Sequence, residues 1–173
     1  MTAHAQDQQP SRIVVVVGVD LSNVSEHLLD QTRSLIRPVD EAEVHVVRVV
    51  RPEPPLLRLV RPKEERNAGV VYQVENAQWA LERLSASLVH NPRTRVIMHT
   101  PIGSPAVELA RIAAKVGADL IVIEAHEHDG RGHHRVFHRS VADVIASTAP
   151  CTVVTLRTPR RVAERPTSFS APA

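Results

Sequence analysis

Aromatic residues are scarce: one Trp, one Tyr and two Phe make up 2% of 173 residues. The chain therefore lacks the stacked rings on which single-strand binders hold bases. Charge of one sign is missing too. Twenty-one Lys and Arg against 19 Asp and Glu leave a formal net charge of +2, far from the basic stripe that a phosphate backbone demands. Nucleic acid is thus excluded as an expected partner. Cys151 is the only cysteine, so no intramolecular disulfide can form and nothing points to an oxidising compartment. The longest apolar run, Ile13 to Val17, has the length of a strand rather than of a membrane span. Met1 to Pro10 is polar and lacks the apolar stretch of a signal peptide. These absences predict a cytoplasmic protein with no membrane partner.

What is present is valine, leucine, isoleucine and alanine, within a hydrophobic content of 43% that suffices for one compact domain. Ile13 to Val19 is a continuous apolar run, as expected of a strand buried on both faces. Ser22 or Asn23 can cap a helix carrying Leu28, Leu29, Leu35 and Ile36, which Pro38 closes. A second strand is expected over Val44 to Val50, in which His45 and Arg48 interrupt the valines and raise the possibility of an edge or a dimer contact. Pro52, Pro54, Pro55 and Pro62 predict an irregular connection through about Asn67. The next helix, Val71 to Leu88, aligns Val74, Ala77, Leu81, Leu84 and Leu88 in one stripe, with Trp79 as partial core filler. Further along, a strand over Arg95 to His99 precedes a helix that begins near Pro105 and stops at Gly117. Leu120 to Ile123 is a strand, Ser140 to Thr148 a helix, and Cys151 to Leu156 the last strand.

This alternation predicts a single-domain α/β protein: a doubly wound, mostly parallel five-stranded sheet, Rossmann-like, with helices on both faces. Residues 12–157 form the expected domain, and residues 1–11 and 158–173 read as polar or Pro-containing tails. Ligands of such sheets bind beyond the carboxyl ends of the strands, where the strand order reverses. The loops after Val19, Val50, His99 and Ile123 are therefore the places to search.

Four segments in register resemble the universal stress protein family. "VVVVGVDLSNVS" is similar to its first strand and Asp-x-Ser turn, here Asp20 and Ser22. "EVHVVRVV" is similar to its second strand. "HTPIGSPAVELARIAAKVGADLIVIEAH" resembles its Gly-x-Pro helix start, here Gly103 and Pro105, and its Gly-Ala-Asp-Leu-Ile-Val strand entry, here Gly117 to Val122. "RSVADVIASTAPCTVVTL" resembles its closing helix, Ala-Pro-Cys-Pro turn and last strand, with Thr152 replacing the second Pro. The resemblance implies five parallel strands, a homodimer formed through the last strand, and a non-enzymatic stress-response module. Such a module binds a small ligand or a partner protein at the carboxyl end of the sheet.

Some members of the family bind ATP through Gly-x2-Gly-x9-Gly-[Ser/Thr], whose glycines let backbone N–H groups close around phosphates. Here a gapless count back from Ala149 puts Ser140 on the hydroxyl position and Arg139 on the third glycine, with Asp129 and His126 on the other two. Counting forward from Ile123 puts Glu124 and Glu127 on the first two instead, so the loop is longer here. Gly130 and Gly132 fall off the motif spacing. Side chains at these sites would crowd or repel a triphosphate. The alternative reading keeps ATP or AMP binding, with weak hydrolysis or none, through Asp20, Val49, Gly103, Gly130, Arg139 and Ser140. The resemblance assigns the Asp20 position to the adenine or ribose region and the Val49 backbone to adenine. Asp20 equally suits capping of the following helix.

A second alternative is metal binding by the loop of residues 126–138. It holds His126, His128, His133, His134 and His138, with carboxylates at Glu127 and Asp129. A solvated surface loop is the plainer account, since no HExxH or CxxC framework accompanies these histidines. Cys151, entering an apolar strand, reads as a small hydrophobe, and Ser140 reads as a helix cap because the Gly-x-Ser-x-Gly elbow is missing. No catalytic residue is expected.

Overall fold

The computed structural model describes residues 11–21, 25–54, 59–60, 62–89, 92–124 and 140–157. Five strands, β1 (Arg12–Gly18), β2 (Glu41–Val47), β3 (Thr94–His99), β4 (Leu120–Glu124) and β5 (Thr152–Leu156), form one sheet in the order β3-β2-β1-β4-β5. Every pairing is parallel. Four principal helices join them: α1 (Ser25–Ile36), α2 (Lys63–Ser85), α3 (Pro105–Val116) and α4 (Val141–Thr148). A 3-10 turn, Ala86–Leu88, extends α2.

The valine run of β1 feeds two cores because successive side chains point to opposite faces. Val15 and Val17 join Leu28, Leu29 and Ile36 of α1 and Leu81 of α2 on one side. Val16 joins Leu109, Ile112 and Ala113 of α3 and Ile145 of α4 on the other. Helices therefore cover both faces, α1 and α2 on one and α3 and α4 on the other. Within α1 the buried stripe includes one polar residue, Thr32, whose Oγ1 donates to the Leu28 carbonyl at 2.8 Å.

Several boundaries differ from the sequence expectation. The proline-rich connection gives way to helix at Lys63, because Pro62 stands at the N-cap, where a missing N–H costs nothing, and Glu64 and Glu65 suit the first turn. Trp79 is not core filler. It is 61% exposed, and the Arg83 guanidinium lies over its ring, 4.9 Å from the centroid. Leu35, on the outer side of α1, is likewise exposed. The second strand ends at Val47, and β2 lies inside the sheet between β1 and β3, so His45 belongs to no edge.

Turn chemistry follows the sequence more closely. Gly117 ends α3 in the left-handed conformation, φ 63°, and the Ala118 N–H donates to the Ala113 carbonyl at 2.9 Å. Ser140 caps α4 through a capping box: its hydroxyl accepts the Asp143 N–H, and the Asp143 carboxylate accepts the Ser140 N–H, each at 3.1 Å.

Candidate functional site

Strand order reverses at β1, whose neighbours β2 and β4 lead to opposite edges of the sheet. Beyond the carboxyl ends of these strands lies a cavity of about 1210 Å³. Gly18, Asp20 and Leu21 line it from β1, Arg48, Val49 and Arg51 from the end of β2, and Gln73 and Asn76 from α2. Glu124, Ser140 and Arg157 complete the far wall. Gly18 makes a close approach: a Cβ there would meet a Leu109 methyl of α3 at 2.9 Å and an Ile123 methyl at 3.2 Å, so those side chains would have to shift.

The rim between β1 and β2 has unusual backbone. Val19 still follows the ladder, its N–H donating to the Val47 carbonyl at 3.0 Å. At Leu21 the chain enters the left-handed region, φ 64°, which a branched side chain tolerates poorly. On its other side, β2 remains tied to β3. The Arg48 N–H donates to His99 and the Val50 N–H to Pro101, at 2.9 and 2.8 Å. Val49 lies between those residues and faces the side that β1 has left. Its N–H and C=O pair with none of the described residues, although the residue is buried. A donor and an acceptor side by side at a cavity wall, with no partner among the described residues, suit a ligand that offers both.

Charges at the cavity are of both signs. Burial of the Arg48 guanidinium weakens its hold on its proton, the Asp20 carboxylate acts against this, and Arg51 acts with it. Asp20 and the half-buried Arg48 thus line the same cavity and attract each other. No histidine or cysteine lines the cavity among the described residues. Cys151 packs instead against the α3–α4 core, where burial and then Asp119 push its thiol pKa up, the reverse of an activated nucleophile.

Asp20, Val49 and Ser140, named from the sequence, therefore meet around one cavity. Gly103 does not line it. Its N–H donates to the Val50 carbonyl at 3.0 Å, so it braces the rim from behind. Gly130 and Arg139, and the candidate metal ligands His126, His128, His133 and His134, lie outside the described residues. Among the described residues no group of three His, Cys, Asp or Glu side chains could hold a metal ion. Sequence reasoning missed Arg48, Arg51, Gln73 and Asn76 as wall residues. Arg48 had a visible signal, a charge at the end of a valine strand, whereas nothing local marks the two amides of α2.

An all-parallel, doubly wound sheet with a cavity at its strand reversal defines an α/β fold of the switch-point class. The model of the universal stress protein family matches residues 13–157, and the chain belongs to that family. No curated protein matches it by sequence. Among solved structures, universal stress protein UspA from Lactobacillus plantarum is 19% identical with a TM-score of 0.65, covering 86% of this chain and 100% of its own. A universal stress protein in complex with cAMP is 20% identical with a TM-score of 0.55, covering 87% of this chain and 100% of its own. The universal stress protein from Archaeoglobus fulgidus in complex with dAMP is 20% identical with a TM-score of 0.51, covering 85% of this chain and 98% of its own. At these identities the likeness establishes a shared fold.

Proposed function

We propose that this universal stress protein is a non-enzymatic module that binds a small ligand of the adenine mononucleotide class in the switch-point cavity. The observation that carries the reading is the N–H and C=O of buried Val49 beside Asp20, which meet no partner among the described residues. The edge of an adenine ring offers a donor and an acceptor at matching separation, and a carboxylate at the Asp20 position suits ribose hydroxyls. Relatives of the same fold solved with cAMP and dAMP support this ligand class. A non-catalytic role is supported by Ser140, whose hydroxyl is engaged with Asp143 in a helix cap, and by the lack of a lining imidazole among the described residues.

Thermal shift is the direct test, because a ligand that binds only the folded state raises its midpoint. AMP, dAMP, cAMP, ATP and divalent metal ions are compared. A mononucleotide present at a hundred times its Kd contributes about 2.7 kcal/mol, which for a domain of this size raises the midpoint by roughly 5–10 °C. Asp20→Ala should abolish the shift. No shift with any adenine nucleotide at millimolar concentration would overturn the reading, and a shift with metal alone would redirect it to the histidine loop.

The proposed module works as a homodimer in the cytoplasm. β5 supports this as an edge strand, since its outer N–H and C=O groups need a partner and a second copy supplies one. Val154→Pro should weaken self-association, measured by light scattering beside circular dichroism. A wild-type chain that stays monomeric at high micromolar concentration sinks this assembly.

A further inference from the structure

On the α3 side of the sheet, away from the cavity, three polar side chains join β2 to β3. His45 is 3% exposed, and its Nε2 lies 2.9 Å from Glu43 Oε1. Its Nδ1 lies 2.8 Å from His99 Nε2, and the two rings stack with centroids 5.1 Å apart at 23°. None of the three lines the cavity.

Hydrogen counting restricts what this chain of groups can hold. An ionised Glu43 only accepts, so His45 carries a hydrogen on Nε2. With both rings neutral, bare His45 Nδ1 accepts from His99 Nε2–H, and His99 Nδ1 is bare. One further proton fits. It enters at His99 Nδ1, the hydrogen on His99 Nε2 passes to His45 Nδ1, and the charge comes to rest on His45 against the Glu43 carboxylate. Both bonds then persist: the one between the rings has reversed its direction, and His45 Nε2–H still donates to Glu43. A second proton does not fit, because both nitrogens of the 2.8 Å contact would then be donors and both rings cationic.

The surroundings act in the same sense. Glu43 is shared with Arg12 of β1 at 3.3 Å and Arg95 of β3 at 3.9 Å. From α3, Lys115 and Arg111 face His99, and Glu108 accepts from Arg111 at 2.6 and 2.9 Å. Burial first, then His45, Lys115 and Arg111, lower the His99 pKa below its ordinary value. Cations therefore surround a carboxylate already engaged, which leaves room for one added charge.

We propose that Glu43, His45 and His99 form a site for a single proton, and that a second proton opens the β2–β3 contact and so displaces the cavity rim. The mechanical link is one hydrogen bond: the His99 carbonyl accepts the Arg48 N–H at 2.9 Å, and Arg48 lines the cavity. The sign follows from the lowered His99 pKa. Above the ordinary imidazole pKa of about 6.5 the stability that neutral His99 confers is complete. It is lost as pH falls through the lower folded value, because the unfolded chain then binds the proton more readily. The site belongs to the fold and does not depend on which ligand the cavity takes.

Histidine-selective 15N correlation spectra of the full chain between pH 8 and 5 provide the test. One ring of the pair should become cationic first, while the other stays neutral to lower pH. The Arg48 amide resonance should move with that second, lower midpoint. Two rings titrating independently near pH 6.5, or an Arg48 amide that stays fixed, overturn the proposal. His99→Gln gives a second arm, since its amide can donate to or accept from His45 but cannot titrate. Its melting temperature should fall less between pH 7 and 5 than that of the wild type, and equal slopes overturn the proposal. Should that variant fail to fold, the wild-type spectra decide alone.

Discussion

The two ends of the sheet use aspartate in opposite ways. At the amino end, Asp119 accepts the Val14 N–H at 2.8 Å while Val14 accepts the Asp119 N–H at 2.9 Å, fastening β4 to β1. Asp40 accepts both the N–H and the hydroxyl of Ser11, at 3.0 and 3.1 Å, and its own N–H donates back to that hydroxyl. Those two hydrogen bonds, backbone first, hold the Asp40 carboxyl below its ordinary pKa. At the carboxyl end Asp20 and Arg48 line one cavity, the Val49 N–H and C=O meet no partner among the described residues, and Leu21 sits at φ 64°. One end is closed by reciprocal hydrogen bonds, while at the other the backbones of β1 and β2 diverge. The fastening contacts and the proposed ligand site thereby fall on different residues of one sheet, so either should be alterable without the other.

Substitutions can break that separation, and the largest effect is expected where both ends depend on one close contact. Gly18→Val would force a side chain into Leu109 and Ile123, at a cost of about 3 kcal/mol, read as a lower urea midpoint with an unchanged slope. A loss below about 0.5 kcal/mol would mean that α3 can retreat. Next comes Asp119→Ala at the closed end, which strips the Val14 N–H of its acceptor and costs about 2 kcal/mol. Its affinity for nucleotide should match the wild type, and a changed affinity would show that the two ends communicate. Ser140→Ala removes the capping hydroxyl of α4 and should cost about 1 kcal/mol. Arg48→Gln should alter stability least, by no more than about 0.5 kcal/mol, yet weaken mononucleotide binding roughly tenfold in a titration. If the unfolding midpoint moves more than the binding constant, Arg48 is a structural residue and the comparison fails at that point.

The alternation of strands and helices was legible because valine runs and turn signals are local. Val14 to Val17 could hardly be anything but a buried strand, and Gly117 marked the end of α3. Pro62 was harder, since proline both breaks and begins helices, and only the following residues decide which. Trp79 misled because a large apolar side chain is expected inside, whereas an arginine four residues on satisfies it at the surface. For the site, Asp20, Val49 and Ser140 came from a family resemblance and not from any local pattern. Among the described residues the Val49 backbone lacks a partner because β1 turns away at Leu21, a relation between two strands that neither sequence segment contains. The His45–His99 contact joins residues 54 positions apart and depends on the β2–β3 register, in which Val47 stands opposite His99. Such meetings are properties of topology.

The placement of β1 at the centre of the sheet has a consequence for synthesis. The strand emerges early from the ribosome but is enclosed late, because the Val14–Asp119 contact on its β4 side spans 105 positions. At ribosomal speeds that interval lasts roughly 5–20 s. Meanwhile β2 can join on one side only, and a parallel partner cannot be reached through a tight hairpin. The valine-rich edge that becomes the most protected surface of the finished molecule is thus among its most exposed while the chain grows. Early docking of α1 can cover the Val15 and Val17 face in that interval, but the edge itself is covered only when β4 pairs with it.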